Sequence, residues 1–341
     1  MERDKMNALS APIYMGIDLT ERCNLRCVHC RVSTSKEKSN EIPLKKVKQL
    51  IDELSKLKVI QIIFSGGEPF IRKDIFEILS YAVKKGIPDI IIVSNGLLLN
   101  KEKIEKLKQT RVKKITISLD GLRNSHDEIR GKGTFDKTVK VIKNLIKNNF
   151  QVQVTITMNK LNKKDVPKLS MFLKKLGVKK VNAGNLMPCG RGKELWYQSL
   201  DIDEKKDLFN KTKKVNKKCG KNFVSFESSF LSEPTITSSE KNIISFLGCR
   251  GGRIYCAVLA NGNVVACKML PYIIAGNIYK KSLKNIWKDN KNWKIWRSDN
   301  LPKKCQHCKY GYACRGGCKA ISFYEYGKTD LPDSRCLGPF T

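Results

Sequence analysis

The sequence predicts an α/β fold built on a parallel sheet, followed by a smaller cysteine-rich domain. Two observations support this prediction. Short apolar or β-branched segments alternate with amphipathic segments of helical length from about residue 14 to residue 186, and such repeats give parallel strands joined by right-handed crossovers. The last third of the chain instead concentrates cysteines, eight of the 13 lying beyond residue 248.

Six strands are predicted in the first part of the chain, at residues 13–19, 59–64, 89–93, 112–119, 152–158 and 180–186. Lysine-rich helices are predicted between them, at residues 43–57, 73–85, 101–110, 134–149 and 163–176. The strand segments are rich in Val and Ile, whereas the helical segments repeat apolar residues at the spacing of one helix face. An open doubly wound sheet and a barrel both satisfy this order of elements.

Length and composition set the protein class. A chain of 341 residues is long enough for one domain of about 200 residues and a smaller one. No apolar run reaches the roughly 18–20 residues that cross a bilayer, and no signal core follows the amino terminus, so we expect a cytoplasmic protein. In a long intracellular chain, 13 cysteines with C-x2-C groupings indicate metal binding rather than disulfides.

The net charge of +34 is large and is spread over almost every predicted helix. Such a surface attracts polyanions, including nucleic acid, acidic peptides and carboxylate-rich small molecules, and acts mainly on encounter rate and solubility. Lysine-rich, solvated helix faces would give the same composition. The charge therefore does not choose among these partners.

The most informative motif is a C-x3-C-x2-C loop directly after the first predicted strand, formed by Cys23, Cys27 and Cys30. A structural zinc site needs four ligands, whereas three thiolates leave one position open. On a [4Fe-4S] cluster the open iron can hold a substrate or cofactor. This spacing, with His29 before the last cysteine, resembles the signature of the radical S-adenosylmethionine (SAM) superfamily, in which that iron chelates the methionine part of SAM.

The resemblance implies a specific version of the α/β fold. Radical SAM enzymes use a partial (β/α)6 TIM-like barrel in which the cluster loop follows the first strand. The active site of such a barrel lies at the carboxyl ends of the strands. The polar motifs of this chain fall at those ends.

Two of these motifs follow the second and third strands. Gly66, Gly67 and Glu68 resemble the GGE-P motif that contacts the amino group of SAM; the glycines admit a close backbone approach and the carboxylate suits an ammonium. A plain strand-to-helix turn is the alternative interpretation. Ser94 and Asn95 precede a glycine and resemble the T/S-N-G motif, which implies a position beside the SAM ribose or the cluster.

Further cofactor contacts are implied at the later strands. By resemblance, Ser118 and Arg130 bind the carboxylate of SAM, for which the guanidinium fork is better suited than an ammonium. The end of the sixth strand, at Leu186, is expected to meet the adenine through backbone contacts.

The carboxy-terminal cysteines form a second pattern. Cys305, Cys308, Cys314 and Cys318 have the spacing C-x2-C-x5-C-x3-C and precede Cys336, while upstream Cys249 and Cys256 precede a G-x4-C that ends at Cys267. Zinc ribbons would explain this composition. The full spacing resembles the SPASM domain, which carries two auxiliary [4Fe-4S] clusters.

The same resemblance assigns ligands to both clusters. Cys249, Cys256, Cys267 and Cys318 would bind the first auxiliary cluster, whose thiolate set is complete if Cys256 takes part. Cys305, Cys308, Cys314 and Cys336 would bind the second auxiliary cluster. The expected cofactors are therefore SAM and three [4Fe-4S] clusters.

Two cysteines remain outside these assignments, Cys189 and Cys219. Cys189 lies just past the last barrel strand, near the expected mouth of the active site. We interpret it as a candidate catalytic thiol that delivers a hydrogen atom to a substrate radical or binds substrate, the alternative being an ordinary loop thiol.

The resemblance covers about residues 13–338 and implies the chemistry: SAM is cleaved reductively to methionine and a 5′-deoxyadenosyl radical that abstracts a substrate hydrogen. The leading hypothesis is modification of a peptide or protein by a carbon–carbon or thioether crosslink, or by side-chain oxidation. The alternatives are a haem-pathway propionate decarboxylase, which the ending from residue 316 to residue 336 also resembles, and a non-enzymatic metal-binding protein that interacts with RNA.

The predicted domains are an N-terminal extension at residues 1–12, the barrel at 13–200, a linker with a helix at 201–244 and the SPASM domain at 245–341. Only 22 residues precede Cys23, so recognition of a leader peptide would need a separate protein or the barrel surface. A flavodoxin or ferredoxin is the expected electron donor. We expect no membrane partner and no nucleic-acid partner.

Overall fold

The computed structural model describes residues 9–34, 40–226, 248–298, 300–308 and 311–336. Most of the predicted N-terminal extension and residues 227–244 of the predicted linker lie outside the described residues.

One sheet organises the described part of the chain. Its strands are β1 (Tyr14–Asp18), β2 (Gln61–Ser65), β3 (Asp89–Ser94), β4 (Lys114–Ser118), β5 (Gln151–Met158), β6 (Lys180–Asn185), β7 (Val224–Phe226), β8 (Tyr255–Val258), β9 (Asn263–Val265) and β10 (Ile274–Asn277). The spatial order is β10-β9-β8-β1-β2-β3-β4-β5-β6-β7. Strands β1 to β7 pair in parallel, each with the next in sequence. The six predicted strands follow one another in sequence order, without the reversal of a doubly wound sheet. Strands β1 and β6 lie apart in this order, so the strands form a partial barrel, as expected.

Helices follow the strands in the alternation that the sequence predicts. They are α1 (Leu44–Lys56), α2 (Ile75–Lys84), α3 (Lys101–Gln109), α4 (Arg123–Arg130), α5 (Thr134–Lys147), α6 (Asp165–Leu176), α7 (Ile202–Cys219), α8 (Leu283–Lys288), α9 (Asn290–Arg297), α10 (Gly311–Cys314) and α11 (Lys319–Tyr326). The short α4 was not predicted.

The core lies between the sheet and the barrel helices. In α1 the buried residues are Val47, Leu50, Ile51 and Leu54, which recur at the spacing of one helix face. Each apolar side chain of this size stabilises the fold by about 1.5–3 kcal/mol when fully buried. Lysines occupy the solvent face of α1. The apolar face is covered by the sheet.

The sheet extends beyond the predicted barrel at both edges. After β6, α7 begins with a capping box between Asp201 and Glu204, and β7 then adds to the sheet in parallel. At the other edge β8 pairs in parallel with β1, and β9 and β10 continue from it in antiparallel order. The first strand of the cysteine-rich region therefore belongs to the barrel sheet. Within the described residues, no helix has the length and apolar character needed to span a membrane.

Candidate active site

A cavity of about 310 Å³ lies at the carboxyl ends of the barrel strands. Its wall includes Cys23, Cys27 and Cys30 from the loop after β1, here called the cysteine loop (residues 23–30). The other predicted site residues that line it are Gly66, Gly67, Glu68, Ser94, Asn95, Ser118 and Arg130. The structure thus brings together the motifs that the sequence places after separate strands.

The glycines after β2 hold the cysteine loop in place. A Cβ atom on Gly67 would lie 2.0 Å from the carbonyl oxygen of Arg22, and Gly66 has a φ of +131°. The Gly67 amide donates to the carbonyl of Thr20 at 2.7 Å, and the Glu68 amide donates to that of Arg22 at 2.8 Å. The close approach that requires glycine is therefore made to the backbone that leads into the cysteine loop.

Glu68 is fully buried and fixes the turn after β3. Its carboxylate accepts hydrogen bonds from the Ser94 hydroxyl at 2.8 Å, the Asn95 amide at 2.8 Å and the Phe70 amide at 3.1 Å. Burial raises the pKa of Glu68, although these hydrogen bonds oppose the shift. The side chain joins the turns that follow β2 and β3.

Asp120 organises the opposite wall. Its carboxylate accepts from Arg130 Nε at 2.5 Å and from the Thr157 amide at 2.7 Å, and His29 Nε2 lies 3.3 Å from it. Burial lowers the pKa of His29 to about 4 despite Asp120, so this imidazole is neutral at pH 7. Within the described structure His29 Nδ1 has no hydrogen-bond partner.

Polar groups surround the three thiols. Arg130 Nη1 lies 3.7 Å from Cys27 Sγ, Asn95 Nδ2 lies 3.9 Å from Cys23 Sγ, and the hydroxyl of Thr34 lies 3.6 Å from Cys30 Sγ. Burial raises the pKa of Cys23 to about 11. Hydrogen-bond donors beside thiolates are the usual surroundings of a metal cluster. Three cysteines around one cavity, with such donors, fit a [4Fe-4S] cluster that has an open iron.

A buried ion network that sequence reasoning missed completes the cavity wall. Asp18 accepts hydrogen bonds from Arg31 Nη2 at 2.8 and 2.9 Å, Lys268 Nζ at 2.7 Å and the Ser65 hydroxyl at 2.8 Å. Burial would raise the pKa of Asp18, but Arg31 and Lys268 hold it well below its usual range. With Asp18 ionised and both partners protonated, the network carries one excess positive charge.

The positions of these residues offered a signal. Asp18 ends β1, Arg31 follows Cys30 and Lys268 follows Cys267. Each therefore adjoins a feature that the sequence already singled out.

The last barrel strand contributes neighbours of the predicted adenine contact. Asn185 and Met187 line the cavity. Leu186 itself is buried, and its amide donates to the carbonyl of Met158 at 3.2 Å. The structure places this residue beside the cavity wall.

The carboxy-terminal thiols gather in two places. Burial raises the pKa of Cys267, and the neighbouring thiols of Cys249 and Cys318 raise it further. Burial likewise raises the pKa of Cys314 to about 12, with added effects from Cys336, Cys305 and Cys308. The second of these groups contains all four residues expected for the second auxiliary cluster.

Cys256 lies apart from the first group. It belongs to β8, where successive side chains point to opposite faces. The hydroxyl of its neighbour Tyr255 and the Lys268 side chain both adjoin Gly16. Cys256 is fully buried in the apolar core instead, with its Sγ 3.4 Å from Met15 Sδ. The structure does not bring this predicted ligand to the side chains of Cys249, Cys267 and Cys318.

Cys189 is also buried, 4% exposed, and its Sγ lies 3.5 Å from Met269 Sδ. Burial raises its pKa to about 11. Met269 lines the cavity of the cysteine loop, whereas Cys189 is behind it and is not part of the wall. The Cys189 thiol, the candidate catalytic group, is therefore separated from the cavity by Met269.

Two family models match the chain. The Radical SAM superfamily model matches residues 17–173, and the SPASM model, an iron-sulfur cluster-binding domain, matches residues 249–309. Among curated proteins, an AdoMet-dependent heme synthase of Methanosarcina barkeri is 32% identical, over 96% of this chain and 97% of the relative. The mycofactocin maturase MftC of Mycobacterium tuberculosis is 29% identical, over 96% and 84% of the two chains.

A protein of known structure has a similar fold. Streptococcus suis SuiB bound to its precursor peptide SuiA superimposes with a TM-score of 0.83 at 21% identity, covering 98% of this chain and 77% of that one. At this identity the likeness concerns the fold.

Proposed function

The chain belongs to the radical SAM superfamily and carries a SPASM domain, and from this premise we propose that it modifies a peptide or protein substrate. The product would be a carbon–carbon or thioether crosslink or an oxidised side chain. With its [4Fe-4S] cluster and SAM bound, such a site supplies a 5′-deoxyadenosyl radical by reductive cleavage of SAM.

The chain's own residues would bind and orient SAM. Cys23, Cys27 and Cys30 would hold the cluster. Arg130, already oriented by Asp120, would pair with the carboxylate of SAM, with Ser118 beside it. Glu68 would act by fixing the turns after β2 and β3 against which the amino group lies. The buried wall would keep water from the reacting atoms.

The size of the cavity is the observation that carries this proposal. Its volume of about 310 Å³ is at the lower end of the range for ligand sites, about 300–1,000 Å³. The cluster on Cys23, Cys27 and Cys30 and SAM would both lie in this space, so we expect the substrate to reach it with a single group. A peptide satisfies this limit because it offers one side chain while the remainder stays outside the open barrel. The related maturase MftC agrees with this substrate class.

Deuterium transfer tests the proposal. We would reduce the reconstituted enzyme with dithionite in the presence of SAM and a pool of deuterated peptides, and measure the mass of the released 5′-deoxyadenosine. We expect this product to gain deuterium from a peptide, with no product from a Cys23→Ala variant. Deuterium gained only from a labelled porphyrin would contradict the proposal.

A second candidate function is decarboxylation of a tetrapyrrole propionate. The 32% identity to a heme synthase over nearly the full length of both chains favours it, and the excess charge of the Asp18, Arg31 and Lys268 network suits a carboxylate. Titration with iron coproporphyrin III separates the two functions. A tetrapyrrole enzyme should shift the Soret absorption at stoichiometric ligand, and a peptide enzyme should leave it unchanged.

The net charge of the chain suggests the kind of electron donor, and its thiols suggest a cellular location. With a net charge of +34, we propose an acidic flavodoxin or ferredoxin as electron donor, since charge complementarity speeds encounter. A separate protein that binds a leader peptide is a further proposal. We also propose a cytoplasmic location, where the 13 cysteine thiols would stay reduced until clusters bind.

A further inference from the structure

We propose that Cys189, and not Cys256, is the fourth thiolate ligand of the first auxiliary cluster, beside Cys249, Cys267 and Cys318. The proposal rests on the SPASM domain and does not depend on the identity of the substrate. It reassigns a residue that the sequence suggested as a catalytic thiol.

Strand geometry removes Cys256 from the ligand set. Its neighbour Tyr255 shares with Lys268 the space next to Gly16 on the cavity side of the sheet. Alternation along β8 directs Cys256 to the other face, where it contacts Met15 in the sheet register and through its sulfur. A cluster ligand at this position would require the strand to turn over, which would break the contact of Cys256 with the fully buried Met15.

Cys189 instead shares a neighbour with Cys267. Its Sγ lies 3.5 Å from the Sδ of Met269, and the backbone amide of the same Met269 donates to Cys267 Sγ at 3.4 Å. Both thiols therefore contact the same residue, Met269.

The loop that carries Cys189 is held firmly. The amide of Arg191 donates to the carbonyl of Cys30 at 2.9 Å, and its Nε donates to the carbonyl of Cys27 at 2.9 Å. A Cβ atom on Gly190, whose φ is +55°, would lie 2.4 Å from the Cys30 carbonyl oxygen. Cys189 is thereby fixed between the cysteine loop and the SPASM thiols, on a backbone that cannot easily move away.

A fourth ligand at Cys189 would change how the first auxiliary cluster is held. Four thiolates complete the coordination of a [4Fe-4S] cluster, so the first auxiliary cluster would have no iron open to substrate. Its fourth ligand would come from the barrel, joining the two domains through the cluster. A hydrogen-atom donor at Cys189 would then be excluded, because its thiol would be bound as thiolate.

Ligand variants test this in a background that lacks the SAM cluster. We would use the full chain with Cys23, Cys27 and Cys30 all changed to Ala, reconstitute it anaerobically, and add Cys189→Ala, Cys256→Ala or Cys219→Ala. Cys219 is the matched control, since it is a buried thiol 3.3 Å from Met171 Sδ, as Cys189 is next to Met269. The readouts are iron per chain and the [3Fe-4S] electron paramagnetic resonance signal after mild oxidation, which appears when a cluster iron lacks a protein thiolate.

We expect the Cys189→Ala variant alone to show this signal, with loss of about one iron per chain. The Cys256→Ala and Cys219→Ala variants should match the background protein. A signal from Cys256→Ala with none from Cys189→Ala would overturn the proposal. So would a background protein that already shows the signal, or three variants that all match the background.

If the Cys189→Ala chain fails to fold, a Cys189→Val variant takes its place, because its side chain is of similar size and cannot bind iron. Circular dichroism establishes folding, and the same iron and resonance measurements apply. A folded Cys189→Val protein whose first auxiliary cluster matches the background and resists mild oxidation would count against the proposal.

Discussion

Arg130 is held in place by contacts within the protein. Its Nε donates to Asp120 and its Nη1 approaches the Cys27 sulfur, and Asp120 is fixed in turn by the Thr157 amide. A guanidinium that is already oriented loses little conformational freedom when it binds a carboxylate. Sequence resemblance predicts a SAM-binding role for Arg130, but the Asp120 contact that orients its side chain depends on the folded backbone.

Replacing Arg130 with Ala should weaken SAM binding far more than cluster loading. A hydrogen bond to a charged group contributes about 1.5–3 kcal/mol, so we expect the Kd for SAM to rise roughly 10- to 100-fold. Equilibrium dialysis on the reconstituted enzyme measures this, with iron content determined on the same samples. Arg123→Ala is the matched control, because Arg123 lies on the same helix and is 59% exposed. An unchanged SAM affinity in Arg130→Ala would remove its proposed role.

At the scale of elements, α4 shows why a short polar helix escapes sequence prediction. It has eight residues, its N-cap Leu122 provides no side-chain cap, and its sequence is mostly polar. Tertiary contacts stabilise it instead: His126 is fully buried, and its Nδ1 accepts the Asp120 amide at 3.1 Å. The helix thus depends on these tertiary contacts, and Arg130 is its last residue.

The buried His126 should make stability depend on pH. Burial lowers its pKa from 6.5 to about 4, so between these values the unfolded chain binds more protons than the folded one. The free energy of unfolding should therefore fall as the pH drops below about 6.5, and the loss should level off near 4. For His126 alone we expect a loss of about 2 kcal/mol between pH 7 and pH 5.

Urea unfolding of the cluster-free protein at these two pH values checks this expectation. The variant His126→Asn keeps an acceptor near the Nδ1 position but does not titrate, so it should lose about 2 kcal/mol less than the parent. His307→Asn, at an exposed position, should behave as the parent does. Equal losses in the parent and in His126→Asn would show that another group controls the acid response.

For the whole molecule, local patterns predicted the repeats but not the pairing of distant segments. The six strands and five of the barrel helices lie within a few residues of their predicted bounds, since each has its own apolar period. The pairing of β8 with β1 and the contact of Lys268 with Asp18 join residues more than 200 positions apart. No local pattern encodes such contacts, because they arise only when the cysteine-rich region docks on the barrel.

Local patterns also do not predict the surroundings of two site residues, Gly67 and Cys256. Gly67 is required by the backbone of Arg22, a neighbour that spacing alone does not reveal. Cys256 fits the spacing of a SPASM ligand but faces the core, because strand alternation from Tyr255 decides its direction. Motif spacing predicts candidate site residues, and the strand register decides which of their side chains lie together.

The most direct test of the account is iron and sulfide per chain on the anaerobically reconstituted protein, together with 5′-deoxyadenosine release after reduction with dithionite in the presence of SAM. We predict about twelve irons and SAM-dependent product for the parent, and roughly eight irons with no product when Cys23, Cys27 and Cys30 are all changed to Ala. About four irons or fewer in the parent, with zinc and no 5′-deoxyadenosine, would contradict a three-cluster radical enzyme.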